Sequence, residues 1–89
     1  MEVSIYFFEP IKCGLDEIED ALDDALEDRG EVTGGGTGKS GSHIDIAITD
    51  EDMGEDAVLS LVRDALQIFL LPNSTKVKID GSEYALQEA

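Results

Sequence analysis

Gly30-Glu31-Val32-Thr33-Gly34-Gly35-Gly36-Thr37-Gly38-Lys39-Ser40-Gly41-Ser42-His43-Ile44-Asp45-Ile46-Ala47-Ile48 is the stretch whose reading decides the fold. From His43 onward it alternates strictly. Ile44, Ile46 and Ile48 fall on one side and His43, Asp45 and Ala47 on the other, the period of a half-buried strand. Glu31-Val32-Thr33 reads as a short strand before it. Between the two, Gly34, Gly35, Gly36, Thr37, Gly38, Lys39 and Ser40 read as a flexible hairpin loop, its glycines free to take left-handed backbone conformations. This hairpin separates two similar halves of the chain.

Upstream, Val3, Ile5 and Phe7 alternate with Ser4, Tyr6 and Phe8, and Pro10 marks the end of a strand apolar on both faces, as a central strand is. Leu15, Ile18, Leu22, Ala25 and Leu26 then recur at helical spacing, which predicts a helix of about 14 residues lying on one surface. Asp16, Glu17, Glu19, Asp20, Asp23, Asp24, Glu27 and Asp28 take the rest of its circumference, and Arg29-Gly30 is its expected stop.

Downstream, the acidic run 50–56 leads into a second helix ended by Pro72 and Asn73. Its apolar residues (Ala57, Val58, Leu59, Leu61, Val62, Ala65, Leu66, Ile68, Phe69 and Leu70) spread over about 220°, more than one sheet covers. Lys76-Val77-Lys78-Ile79 is the next strand, Asp80-Gly81 is a type I′ turn signal, and 82–86 form a short returning arm.

The order strand, helix, strand, strand, helix, strand is the split βαβ arrangement of an α+β, ferredoxin-like domain filling residues 1–89. It predicts a four-stranded antiparallel sheet with both helices on one face and a candidate further C-terminal strand. Val3, Ile5, Phe7, Val32, Ile44, Ile46, Ile48, Val77 and Ile79 should face the helices. Tyr6, Phe8, Asp45, Ala47, Lys76 and Lys78 should line the open face.

Charge excludes several functions. Asp and Glu number 21 against 6 Lys and Arg, a net charge of −15. Such a field repels nucleic-acid phosphates and anionic membranes and attracts basic proteins. The open face cannot stack RNA bases as some sheets of this topology do, because Asp45 and Ala47 stand where the second strand's aromatics are needed. The longest apolar run, Ile68-Phe69-Leu70-Leu71, is too short to cross a bilayer. A single cysteine and no signal-peptide pattern at the N-terminus point to the cytoplasm.

Motifs for chemistry fail on spacing. Thr33 to Ser40 resembles a phosphate-binding loop, but Thr33 occupies the first glycine position and Lys39-Ser40 leads into a strand rather than a helix. Asp50-Glu51-Asp52-Met53-Gly54 begins like a calcium loop, yet Gly54, Glu55 and Leu61 stand at positions that need a ligand, glycine and glutamate. Cys13 and His43 have no partners at zinc-ligand spacing and form no supported thiol–imidazole pair. No metal, cofactor or catalytic residue is expected.

The segment 30–38, followed by Ile44-Asp45-Ile46-Ala47-Ile48 and a helix ending at Leu71-Pro72, resembles small acidic bacterial proteins of the immunity type, which neutralise a toxin enzyme. That resemblance implies an inhibitor and carries no residue role. The leading expectation is a non-enzymatic binding protein that covers a basic cleft on a partner. Asp16, Asp20, Asp23, Asp24, Asp50, Asp52 and Glu55 would supply the field, with Tyr6 and Phe8 as anchors. Two others stand beside it: a homodimeric assembly protein using the second helix or the open sheet face, and an anion or small-ligand binder using the glycine-rich loop 34–42.

Overall fold

The computed structural model describes residues 1–9, 14–38, 41–69, 71–72 and 74–86. Along the chain come β1 (Glu2–Phe7), α1 (Leu15–Leu26), β2 (Gly30–Gly38), β3 (Gly41–Ile48), α2 (Glu55–Leu66), β4 (Lys76–Ile79) and β5 (Ser82–Ala85). The five strands form one antiparallel sheet in the order β2-β3-β1-β4-β5. The connection through α1 passes over β3, and that through α2 passes over β1. The domain is therefore α+β.

Alternation places the core. Val3, Ile5 and Phe7 of β1, Ile44, Ile46 and Ile48 of β3, and Val77 and Ile79 of β4 are all buried. They form one cluster with Ile18, Leu22 and Leu26 of α1 and Val58, Leu59, Val62 and Leu66 of α2. Both helices thus lie on the same face of the sheet and touch each other. Burying one aliphatic side chain is worth about 1.5–3 kcal/mol, so this single layer carries the fold.

The glycine run departs from expectation. Residues 34–38 are strand, not loop: β2 spans nine residues and pairs with β3 as far as Gly38 opposite Gly41. The backbone groups of β3 that point away from β1 need partners, and β2 supplies them despite glycine's entropic cost. A bulge between Val32 and Gly34 shifts the register, so Gly34 and Gly36 stand opposite Asp45 and His43 above the open face. Lys39 and Ser40, which completed the expected loop, lie outside the described residues.

Helix ends also differ. α1 stops at Leu26, where Glu27 turns to φ 56° and donates its N–H to the Asp23 carbonyl at 3.1 Å. Arg29 caps from its side chain, donating to the carbonyls of Ala25 at 2.8 Å and Leu26 at 3.3 Å. Gly30 is no stop. It is glycine because β3 passes so close that a Cβ there would sit 2.7 Å from the Ala47 carbonyl oxygen.

α2 ends at Leu66, leaving Ile68 beyond it and 77% exposed. Its buried and half-buried apolar residues (Val58, Leu59, Leu61, Val62, Ala65 and Leu66) then fill about 160°. The expected 220° arc was wider because it included Ala57, which is helical but exposed, and Leu70, which lies outside the described residues.

The candidate further C-terminal strand is present as β5, which makes the sheet five-stranded. Asp80 at φ 46° and Gly81 at φ 93° make the predicted primed turn into β5. Tyr84, opposite Val77, lies on the helix side, and Leu86 is buried. Arg63 of α2 holds the end of β5 by donating to the carbonyls of Ala85 at 2.8 Å and Leu86 at 3.0 Å.

Candidate partner-binding surface

Nine residues were expected to meet a partner. The structure divides eight of them between two faces of the molecule and sets Glu55 apart. Asp16, Asp20, Asp23 and Asp24 are all exposed on α1. With Glu27 they occupy an arc of about 100°, opposite the stripe that buries Ile18, Leu22 and Leu26. The helix forms because its apolar positions keep the 3.6-residue period, and that same period collects the acids.

Asp50 and Asp52 extend this surface. The N–H groups of Thr49 and Asp50 donate to the Arg29 carbonyl at 2.9 and 3.0 Å, which brings the turn after β3 against the C-terminal end of α1. Asp50 then shapes the turn itself, accepting the Asp52 N–H at 2.9 Å. Among the described residues, none of these carboxylates forms a salt bridge. The Arg29 side chain donates to helix carbonyls instead.

Besides Asp50, two of the expected acids have structural work. Asp23 accepts the Val32 N–H at 3.1 Å through Oδ1. Glu55 does not extend the acidic face, since its Oε2 accepts the Tyr84 hydroxyl at 2.8 Å beside β5. That bond raises the Tyr84 pKa above the ordinary value of 10.0, with burial and the Glu55 charge acting in the same direction.

Tyr6 and Phe8 lie on the other side of the sheet. Their rings stack with centroids 6.3 Å apart, Phe8 being 55% exposed. Sequence reasoning did not name His43 as part of this patch, although strand parity puts it there. The imidazole is 6.4 Å from the Tyr6 ring, and its Nε2 is 3.6 Å from Asp45 Oδ2, an ion pair only when the ring is protonated. Ser4 donates to the other Asp45 oxygen at 2.9 Å. Lys76 and Lys78, in register with Tyr6 and Ser4, border the patch. The open face thus joins an aromatic pair and two lysines to Asp45 and, by strand parity, Glu2, Glu31 and Glu83, whereas the exposed face of α1 carries acids alone.

Among the described residues, no group of three or more His, Cys, Asp or Glu side chains is arranged to hold a metal ion, and Cys13 lies outside them. Among the described residues, no helix is long and apolar enough to cross a membrane. No family model, curated protein or solved structure matches the chain.

Proposed function

We propose that the chain is a non-enzymatic acidic binding protein, an immunity-type inhibitor that covers a basic cleft on a partner protein. The observation that supports it is the exposed stripe of Asp16, Asp20, Asp24 and Glu27, unpaired among the described residues. An uncompensated field of that kind raises the encounter rate with a cationic surface and lowers it with anionic ones. The protein would act in the cytoplasm. In this reading the sheet is a ferredoxin-like split βαβ unit lengthened by β5.

Association kinetics test the reading. Raising salt should slow binding to the partner mainly through the on-rate, by tenfold or more on the order-of-magnitude scale of steered complexes. A salt-independent on-rate would contradict it.

A second reading is assembly, because the Tyr6–Phe8 stack is exposed beside Lys76 and Lys78. Here two copies, or a subunit and its neighbour, would join through the open sheet face. Sedimentation of the native chain and of Phe8→Asp separates the two. A dimer lost on substitution supports assembly; a native monomer at high concentration excludes it.

A further inference from the structure

We propose that the outer edge of β2, from Gly34 to Gly38, takes up an extended basic segment of the partner as an added strand. The lysine or arginine side chains of that segment would lie against Glu19 and Asp23 of α1. This deepens the acidic-binding reading above and rests on it.

The hydrogen-bond ladder identifies the free edge. Met1 and Ile48 exchange backbone bonds, Ile48 N–H to Met1 O at 2.8 Å and the Met1 amino group to Ile48 O at 3.2 Å. Bonding alternates along an antiparallel pair, so Ile44, Ile46 and Ser42 also turn their backbone groups toward β1. His43, Asp45 and Gly41 turn theirs toward β2, where their partners are Gly36, Gly34 and Gly38. The N–H and C=O of Gly35 and Thr37 therefore point out of the sheet. Val32 follows the same parity, and its outward N–H is the one that Asp23 takes. Among the described residues no strand lies beyond β2.

The edge is also bare. Gly34 has no left-handed φ and nothing within 4 Å of where a Cβ would stand, and the nearest atom to a Cβ at Gly36 is 3.4 Å away. Gly34 stands at the bulge of β2, whereas at Gly36 no bulge, turn or contact calls for glycine. A strand glycine beyond a bulge leaves room for a second backbone to approach closely, and Gly36 is such a position. The opposite edge is different: β5 has four residues, and Arg63 binds the carbonyls at its end.

Charge selects the occupant. A Cβ at Gly35 would point to the helix side, 3.1 Å from Glu19 Oε1, so that carboxylate stands directly above the edge. Asp23 stands one turn further along the same flank of α1. Alternate residues of an added strand would face these two acids. A second copy of this chain would bring its own Glu19 and Asp23 to the same place at a net charge of −15 per copy. A cationic segment meets attraction where a second copy meets repulsion.

The test uses the whole protein and two synthetic peptides of one composition, one alternating Lys with Val and one carrying the lysines in a block. Amide hydrogen exchange and shifts report the contact. The alternating peptide should slow exchange at Gly35 and Thr37 about tenfold, and Thr37→Pro, which removes an outward donor and leaves the ladder to β3 intact, should abolish that protection. Both peptides shifting only α1 amides would overturn strand addition while leaving the acidic surface as a binding site. No shift with either would overturn both. Self-association that protects Gly35 and Thr37 without peptide would overturn the choice of partner in favour of a second copy.

Discussion

Asp23 of α1 accepts the Val32 backbone N–H at 3.1 Å, so a residue of the acidic stripe also seals the sheet edge just before the bulge in β2. Asp20 and Asp24, its neighbours on the same exposed stripe, have no such bond among the described residues. Charge and structure can be separated at these positions. Asp23→Ala should cost about 1 kcal/mol in chemical denaturation and speed exchange of the Val32 amide. Asp20→Ala and Asp24→Ala should stay within about 0.5 kcal/mol of the native chain or stabilise it slightly.

Glycines 34 and 41 should respond in opposite directions. Gly34 stands in open space, so Gly34→Ala should be neutral or stabilise by up to about 1 kcal/mol through the unfolded chain. Gly41 has φ 131°, and a side chain there would collide with the Phe7 carbonyl. Gly41→Ala should cost more than about 2 kcal/mol and shift the thermal midpoint accordingly.

Strand and helix positions were legible wherever apolar residues kept a period. β1, β3 and the stripe of α1 follow from Val3-Ile5-Phe7, Ile44-Ile46-Ile48 and Ile18-Leu22-Leu26, and the Asp80-Gly81 turn from its residue types. The first part of β2 was legible in Glu31-Val32-Thr33, but its extension over 34–38 was hidden because glycine has low strand propensity and the pairing comes from β3, not from its own side chains. The end of α2 was hidden because Ile68 continues the apolar pattern beyond Leu66 while standing exposed. Acidity was plain in the composition, but the bonds of Asp23, Asp50 and Glu55 depend on partners 9, 2 and 29 residues away. Charge counting treats them all alike.

Tyr84 gives the fold an alkaline limit. Its pKa is raised above 10.0, first by the hydrogen bond to Glu55, then by burial and by the Glu55 charge. A group whose folded pKa is raised stabilises the protein fully below its unfolded value and loses that contribution as pH climbs through the raised one. Phenolate absorbance should show Tyr84 titrating late. Glu55→Gln should bring it back toward the ordinary value, and native stability should fall above about pH 10.

Thr75 is fully buried, and its hydroxyl has no hydrogen-bond partner among the described residues. Replacing an unsatisfied hydroxyl by a methyl of the same shape removes a desolvation cost. Thr75→Val should therefore stabilise the domain by about 1 kcal/mol, read from the denaturation midpoint at unchanged slope.

Salt should act on folding and binding with opposite signs. At a net charge of −15 the compact state repels itself, so screening should raise the thermal midpoint. The same screening should weaken capture of a basic partner. Parallel thermal melts and binding curves across a salt series check both signs on one sample.

The most direct measurement is affinity capture from the native cell lysate at low salt, using the native chain beside an Asp16→Lys, Asp20→Lys, Asp24→Lys variant that keeps Asp23. The account predicts one basic protein retained in equal amount by the native chain, released as salt rises, and lost by the variant, with its enzymatic activity suppressed while bound. Retention of the same proteins by both chains, or of nothing by the native chain, would contradict it.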